Sequence, residues 1–562
     1  MDAPRPAMIR DLCAGLSAKA RDALRVIRDT GPGQVQFWFI ALLVGIAAGV
    51  AAVLFRLGIN LLQKSLYGTD DPRLMHSFAE TLPWYMIVLI PVCGGLVVGI
   101  ILDRLTADGR AKSVAEVIEG AALHDGRVET KEGLASAAAS MITLGSGGSS
   151  GREGPVVHLA AVLSSWVLNR INADGITGRD LLGCAVAAAV SASFNAPVAG
   201  ALIALEVVLR HFAVHAFAPI VIASAAGTVI SRLTFGDVTE FVLIEEGILA
   251  FYVELPAFLL LGMLSGLLAV VMMRSIFLAD DFGNHACKRF GIPRFIRPAV
   301  AGLLLGALAL GFPHIIGVGY ETTSAALTGQ ILWHEAVVFC AIKVAAVAIT
   351  MGGRMGGGIF SPSLMVGALL GLAFGLTATA TFPNVSGSET LYALAGMGAV
   401  AAAVLGAPIS TTLIVFELTG DWKTGLAVMV AVSMSTAIAS RLVDRSFFLS
   451  QLERRDVHLA RGPQGYLLSL CSVKDLMRKP GDPGAASEEA VWAAIAEGVW
   501  VDVNGTLELA MPAFERTGLP FLPVLSFGGD GRPPKVHGAL FHVDALRAFN
   551  RALASTAEEE HS

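Results

Sequence analysis

Long apolar runs recur from residue 36 to about residue 440, and they constrain the fold of this chain more than any other feature. Several approach the roughly 20 residues that an α-helix needs to cross a bilayer. Examples are FWFIALLVGIAAGVAAVLF, MIVLIPVCGGLVVGIIL and FLLLGMLSGLLAVVMM. Only 15% of the residues are charged, against about 25% in an ordinary soluble protein. The sequence therefore predicts an all-α polytopic membrane protein.

A glycine-rich loop followed by the start of a helix occurs twice in this apolar region. TLGSGGSSGREGP (143–155) and TMGGRMGGGIFSP (350–362) align without a gap. Interrupted apolar segments at corresponding positions of two halves are typical of transporter binding sites. We therefore predict a repeat with halves of roughly 36–245 and 246–456. The sequence pattern leaves open whether the repeat is parallel or inverted.

A second pair of segments supports the same repeat. FNAPVAGALIALE (194–206) matches LGAPISTTLIVFE (405–417), with Ala-Pro and the final glutamate in register. Glu206 and Glu417 therefore end matching helices in the two halves. We expect these two carboxylates to have a structural role, capping or pairing with loop amides.

The repeated loops have the chemistry of an anion site. Pro155 and Pro362 suit the first turn of a helix, and free N–H groups at a helix start attract anions. Glu153 lies beside these amides, and a carboxylate within a membrane is a functional-site hypothesis by default. It could occupy the anion's place and swing out when protonated, or it could pair with Arg152 at a protein–water boundary. The predicted substrate is an anion.

An enzymatic alternative comes from residues 147–151, which match the G-x-S-x-G pattern of serine hydrolases. That motif requires a preceding strand and a histidine partner. Here an alanine-rich helical segment precedes it, and His158 is expected to be a packed histidine. The second loop, GGRMGGG, contains no serine. An intramembrane serine hydrolase is therefore only a distant alternative, and the chain is predicted not to be an enzyme.

The ends of the chain differ in composition from the apolar region. Residues 1–35 carry six basic residues before the first apolar run, which predicts a cytoplasmic N-terminus. Residues 457–562 are expected to form a soluble cytoplasmic domain, in which VKDLM, LPFLPVL and HGALFHVDAL resemble a CBS (cystathionine-beta-synthase-type) motif. One copy is recognisable, which favours a dimerisation or packing module over a nucleotide sensor. The six cysteines show no metal-ligand spacing, so no metal site is predicted.

Within residues 36–456 five motifs stand out: GREGP (151–155), GGIFSP (357–362), KSVAEVIEG (112–120), FNAPVAGALIALE (194–206) and SFFLSQLERR (446–455). Through these motifs, residues of roughly 36–456 resemble the CLC family of chloride channels and chloride/proton antiporters. The resemblance implies an inverted repeat of tilted, broken helices and a homodimer with one anion pathway per subunit. It also implies chloride and related anions as substrates in a bacterial inner membrane, both termini in the cytoplasm, and neither a cofactor nor a nucleic-acid partner.

The resemblance also assigns roles to single residues. Ser113 is placed at the hydroxyl that holds the central anion, and the backbone amides of Ile359 and Phe360 face the same ion. Gly154 serves the outer site. Glu153 becomes the gating glutamate, which competes with chloride for the pathway.

Three departures from the family pattern bear on function. Antiporters of the family carry a proton-relaying glutamate directly after the position of Glu206, where this chain has Val207. Phe448 stands where the family's central tyrosine is expected. Arg354 and Met355 replace small residues of the second glycine run, and the sequence does not explain them. The first two departures favour a passive gated chloride channel.

Two other transport functions remain open. One is a chloride/proton antiporter whose proton route does not use position 207 and is instead water-mediated around Glu206. The other is a fluoride exporter, although Ser113 and GREGP favour ordinary halide selectivity.

Overall fold

The computed structural model is mostly helical, and eight helices in the part that it describes are long and apolar enough to cross a membrane. The predicted segment 1–35 falls almost wholly outside that part. The described residues are 33–69, 71, 74–171, 175–212, 214–236, 251–419, 422–457, 459, 467–468, 471–503, 505–526 and 535–561.

The first half of the membrane part ends in a π-helical turn, Ala204–Leu209, and a further long helix. Its helices are α1 Gln34–Tyr67, α2 Met75–Glu80, α3 Trp84–Leu105, α4 Val114–Leu123, α5 Thr130–Gly145, α6 Glu153–Ile171, α7 Gly175–Phe194, α8 Pro197–Ile203 and α9 Val214–Phe235. The helices of the second half are α10 Phe251–Phe290, α11 Arg297–Gly311, α12 Tyr320–Leu327, α13 Trp333–Gly352, α14 Phe360–Thr381, α15 Glu389–Leu405, α16 Pro408–Thr419, α17 Trp422–Leu442 and α18 Phe447–Glu453.

The sequence breaks α7 from α8, and α15 from α16, by the same local device. Asn195 (φ 58°) and Gly406 (φ 71°) adopt the left-handed conformation that ends a helix. An Ala-Pro pair follows each, and its proline starts the next helix, where a missing N–H costs nothing. The predicted repeat is therefore present in the backbone as well as in the sequence.

The final glutamate of each repeat caps the broken helix of the other. Glu206 accepts hydrogen bonds from the backbone N–H groups of Ile409 (3.1 Å) and Ser410 (2.8 Å). Glu417 accepts the equivalent bonds from Val198 (2.9 Å) and Ala199 (2.8 Å). The expectation that these carboxylates bind loop amides is confirmed, and their reciprocity relates the two halves by an approximate two-fold axis.

We expect Glu206→Ala to lower the free energy of unfolding by about 1–2 kcal/mol, the usual cost of removing a helix cap. Glu206→Gln keeps an acceptor oxygen and serves as the matched control, with a smaller loss. Thermal unfolding of the detergent-solubilised protein measures both. Equal stability of the wild type and Glu206→Ala would contradict the capping role.

The C-terminal residues form a small α/β unit with its own apolar core. Its helices are α19 Val473–Leu476, α20 Glu488–Ala496, α21 Leu507–Thr517 and α22 His542–His561, and its strands are β1 Val501–Asp502, β2 Phe521–Ser526 and β3 Lys535–Phe541. β2 pairs in parallel with β1 and antiparallel with β3. From α21 to α22 the order of elements is helix, strand, strand and helix, and the assignment of this unit as a CBS module stays a prediction.

Candidate functional site

The two glycine-rich loops cross each other, and the crossing places two helix N-termini side by side. Gly151 and Gly358 exchange both backbone hydrogen bonds, each 2.7 Å long. α6 begins two residues after Gly151, and α14 begins two residues after Gly358. First-turn N–H groups have no intrahelical acceptor and carry the positive end of the helix dipole. The crossing therefore concentrates positive potential at one point.

The threonine that opens each repeat holds the loop of the other repeat. Thr143 donates a side-chain hydrogen bond to the carbonyl oxygen of Met355. The hydroxyl oxygen of Thr350 accepts one from the backbone N–H of Ser149, at 3.2 Å. This exchange explains why threonine, as well as glycine and proline, recurs in the two aligned segments.

Glu153, the first residue of α6, is buried and points at the start of α14. Its Oε1 accepts a 2.5 Å hydrogen bond from the hydroxyl of Ser361, the second residue of α14. Its Oε2 is buried with no hydrogen-bond partner among the described residues. Arg152 donates to the carbonyl oxygen of Ser193 and lies over the ring of Tyr320. Glu153 is only 5% exposed, so it lies inside the protein and not at a protein–water boundary.

A cavity beside Glu153, called here the apolar cavity, brings most of the predicted site residues together. Glu153 is the only titratable side chain among its lining residues. Val207 forms part of the wall, at the position compared above with the proton-relaying glutamate of the antiporters. The lining comprises Val114, Glu153, Gly154, Val157, Val186, Val190, Phe194, Ile203, Val207, Val208, Gly358, Ile359, Phe360, Leu405 and Phe448.

A second cavity, called here the basic cavity, lies on the other side of Phe448. Gly358, Ile359 and Phe448 line both cavities and therefore form the partition between them. Ser113 lines the basic cavity, and its neighbour Val114 lines the apolar one. The charged residues that line the basic cavity are Arg110, Glu116, Asp280, Arg354, Arg454 and Arg455.

Ser113 is held in place by Glu116, three residues further along the chain. It precedes α4, and its backbone N–H donates to the carboxylate of Glu116 at 2.7 Å. Glu116 also forms an ion pair with Arg455, just beyond α18. Because α18 carries Phe448, this ion pair links the Ser113 loop to the partition. Glu116 is thus the anchor of the Ser113 loop.

Gly154 allows a close contact between α6 and Ser113 that a residue with a β-carbon would prevent. A β-carbon on Gly154 would lie 2.4 Å from Ser113 Oγ and 3.2 Å from Gly358 Cα. The Ser113 hydroxyl is therefore in close contact with the start of α6. Phe360, the first residue of α14, packs edge-on against Phe194 at a ring distance of 4.8 Å.

Phe448 is an apolar part of the partition. It is 5% exposed and packs edge-on against Phe447, with ring centroids 5.8 Å apart. Phe447 in turn stacks on Phe277 at 5.3 Å. Phe448 offers no hydroxyl to an ion at this place.

Sequence reasoning missed Ser361 and the ion pair of Glu116 with Arg455. The repeat contained a signal for the first, because the alignment puts Ser361 at the position of Gly154, next to the counterpart of Glu153. Loops that cross reciprocally bring such positions together. Nothing in the sequence indicated that Arg455 would meet Glu116, which is 339 residues away.

The G-x-S-x-G pattern lacks its required context. The segment before it is helix α5, whereas a nucleophile elbow follows a strand. His158 is 2% exposed within α6, as expected of a packed histidine.

Comparisons with known proteins identify relatives of this chain. The family model for the voltage gated chloride channel matches residues 94–440. A ClcB-like protein of Ralstonia nicotianae is 31% identical over 397 residues, which are 70% of this chain and 91% of that protein. The voltage-gated ClC-type chloride channel ClcB of Escherichia coli O157:H7 is 27% identical over 410 residues, 72% of this chain and 95% of its own.

The fold also matches a solved structure. The crystal structure of a slow cyanobacterial Cl⁻/H⁺ antiporter superimposes with a TM-score of 0.65 at 21% identity. The match covers 75% of this chain and 97% of the antiporter chain. At this identity the likeness shows a shared fold.

Proposed function

Because the chain belongs to the voltage-gated chloride channel family, whose members transport anions across membranes, we propose that it conducts chloride passively with Glu153 as the gate. The observation that carries this proposal is the hydrogen bond of the Glu153 carboxylate to Ser361 at the start of α14. An anionic group there occupies the place where the helix N-termini favour negative charge. A chloride ion is a second candidate for the same place.

The gate works by exchange of one anion for another. In the closed state the Glu153 carboxylate occupies the anion site at the start of α14. It thereby blocks the path from the two cavities to the opposite face of the membrane. Protonation removes the charge that the helix ends attract, so the side chain leaves and chloride enters. The backbone amides of Gly154, Ile359 and Phe360, together with the hydroxyl of Ser113, then bind the ion. A site built mainly of neutral dipoles carries no fixed positive charge, so it releases chloride quickly.

Passive conduction is supported by the apolar cavity. A proton needs titratable groups or ordered water as carriers, and an apolar cavity stays dry. Among the lining residues only Glu153 titrates, and Val207 cannot accept a proton. A chloride/proton antiporter that avoids position 207 is the second candidate, and coupled proton movement would reveal it.

The remaining assignments are part of the same proposal. We infer a homodimer with one pathway per subunit and both termini in the cytoplasm of a bacterial cell. The basic cavity then opens to the cytoplasm, because α18 leads from it into the C-terminal segment. Residues 36–456 form the transport domain, and residues 457–562 form a CBS-like packing module.

Chloride efflux from liposomes that contain the purified protein tests the proposal. The vesicles hold potassium chloride, and valinomycin supplies the counter-current of potassium. We expect rapid chloride release after valinomycin is added and none from protein-free vesicles. Equal release from the two kinds of vesicle would contradict anion transport by this chain.

Phe448→Tyr is expected to strengthen chloride binding at the partition. The restored hydroxyl adds one hydrogen bond, worth about 0.5–1.5 kcal/mol, so the chloride dissociation constant should fall by about two- to tenfold. Isothermal titration with chloride measures it. The control is Phe382→Tyr, on an exposed ring that lines neither cavity, and it should leave the constant unchanged. An unchanged affinity in Phe448→Tyr would place the bound anion away from residue 448.

A further inference from the structure

Arg354 lies in the second glycine run at a position that is glycine in the first repeat. It aligns with Gly147, and both residues have positive φ, 59° and 91°. This backbone region is unfavourable for a residue with a β-carbon. The chain thus carries a long cationic side chain where the backbone favours glycine. That side chain lines the basic cavity together with Ser113, Ile359 and Phe448.

The charge of Arg354 is poorly compensated because three guanidinium groups share one carboxylate. Asp280 lies 3.0 Å from Arg110 and 2.8 Å from Arg297, but 3.8 Å from Nε of Arg354. The last distance is too long for a hydrogen bond. Arg354 Nε is also buried without a hydrogen-bond partner among the described residues.

The other contacts of Arg354 are to neutral acceptors. Nη2 donates to the side-chain oxygen of Asn284 at 2.9 Å, and Nη1 donates to the backbone carbonyl of Asp108 at 3.4 Å. Burial and the charges of Arg110 and Arg297 lower the pKa of Arg354 to about 10. The guanidinium is therefore charged at neutral pH and lies among like charges.

The nearby carboxylates are already engaged with other cations. Asp108 binds Lys112, Asp281 binds Arg454, and Glu116 binds Arg455. The basic cavity reaches the surface at Arg454, whose side chain is 41% exposed. An entrance with surplus positive charge raises the local concentration of anions.

We propose that Arg354, together with Arg110, forms an anion-binding site at the entrance of the basic cavity and delivers chloride to Ser113 and the partition. This inference rests on the proposed chloride transport. It assigns to this chain an electrostatic determinant of anion entry beyond the amides and the hydroxyl of the pathway. Its strength depends on ionic strength, because the site acts through its charge.

Chloride efflux from liposomes tests the site at two ionic strengths, set with the salt of an impermeant organic anion. At about 0.1 M salt the screening length is about 10 Å, and at about 1 M it is about 3 Å. We expect Arg354→Gln to lower the initial efflux rate about 1.5- to 2-fold at the lower salt, the screened effect of one unit charge at about 7 Å in water. At the higher salt the rates of variant and wild type should converge.

Two further variants separate charge from folding. Arg354→Lys keeps the charge and should retain most of the wild-type rate, whereas Arg110→Gln should repeat the salt-dependent loss. Arg104→Gln is the matched control: Arg104 is exposed at the end of α3, outside the basic cavity, and its loss should leave the rate unchanged.

The outcomes distinguish this site from the proposed function. If the wild type releases chloride but Arg354→Gln releases it equally fast at low salt, the entrance site is wrong and transport stands. A loss of the same size at both salt concentrations also overturns the site, because an electrostatic effect must be screened. A wild type that releases no chloride overturns both proposals.

Discussion

Glu153→Gln is expected to raise chloride efflux at neutral pH and to abolish its dependence on pH. The amide resembles the protonated carboxyl group, so it no longer competes with chloride for the start of α14. The charge-assisted hydrogen bond to Ser361 contributes about 1.5–3 kcal/mol to the closed state. Its loss shifts the gate toward the open state by about ten- to a hundredfold. Initial efflux rates measured over a range of pH give the result.

The wild type should respond to acid, whereas the variant should not. Its efflux should rise as pH falls, because protons neutralise Glu153, while the variant stays at a constant high rate. Glu335→Gln is the matched control. Glu335 also caps a helix start, accepting from the N–H of Leu332 at 3.0 Å, but does not line the apolar cavity. A Glu153→Gln variant whose efflux still rises in acid would exclude this residue as the gate.

Gly154→Ala is expected to lower chloride efflux about tenfold while the protein stays folded. The added β-carbon would lie 2.4 Å from Ser113 Oγ and 3.2 Å from Gly358 Cα. Such overpacking costs about 1–3 kcal/mol, and here it falls on the residues that are proposed to bind the ion. Alanine is favoured over glycine in a helix by about 1 kcal/mol, so α6 itself should tolerate the change.

Gly311→Ala provides the comparison for this variant. Gly311 ends α11, and a β-carbon there would meet nothing within 4 Å. Its efflux and its unfolding temperature should match those of the wild type. If Gly154→Ala transported chloride at the wild-type rate, close contact between Ser113 and α6 would not belong to the pathway.

The parts of the fold that the sequence predicts are those fixed by local chemistry. Apolar runs of membrane length, Ala-Pro helix starts and the two glycine loops predict the helices and the repeat. The repeat also places Glu206 and Glu417 at equivalent positions, so their capping role could be expected. Glycine and proline determine the local backbone geometry, and these two residue types recur at matching positions of the two repeats.

The parts that the sequence could not predict depend on contacts between distant segments. Ser361 meets Glu153 only because two loops cross, and the ion pair of Glu116 with Arg455 joins residues from the two halves. Arg354 could be recognised as unusual, but its surplus charge follows from three arginines converging on Asp280. Charge pairing of this kind is set by packing and leaves no local pattern in the chain.

Passive chloride conduction is the central claim, and simultaneous recording of chloride and proton movement tests it most directly. Liposomes that contain the protein are given a chloride gradient with no pH gradient, and external chloride and pH are followed together. The apolar wall around Val207 predicts chloride movement with no accompanying change in external pH. A pH change in fixed ratio to the chloride that moves would contradict it, because it would mean that a proton route bypasses Val207.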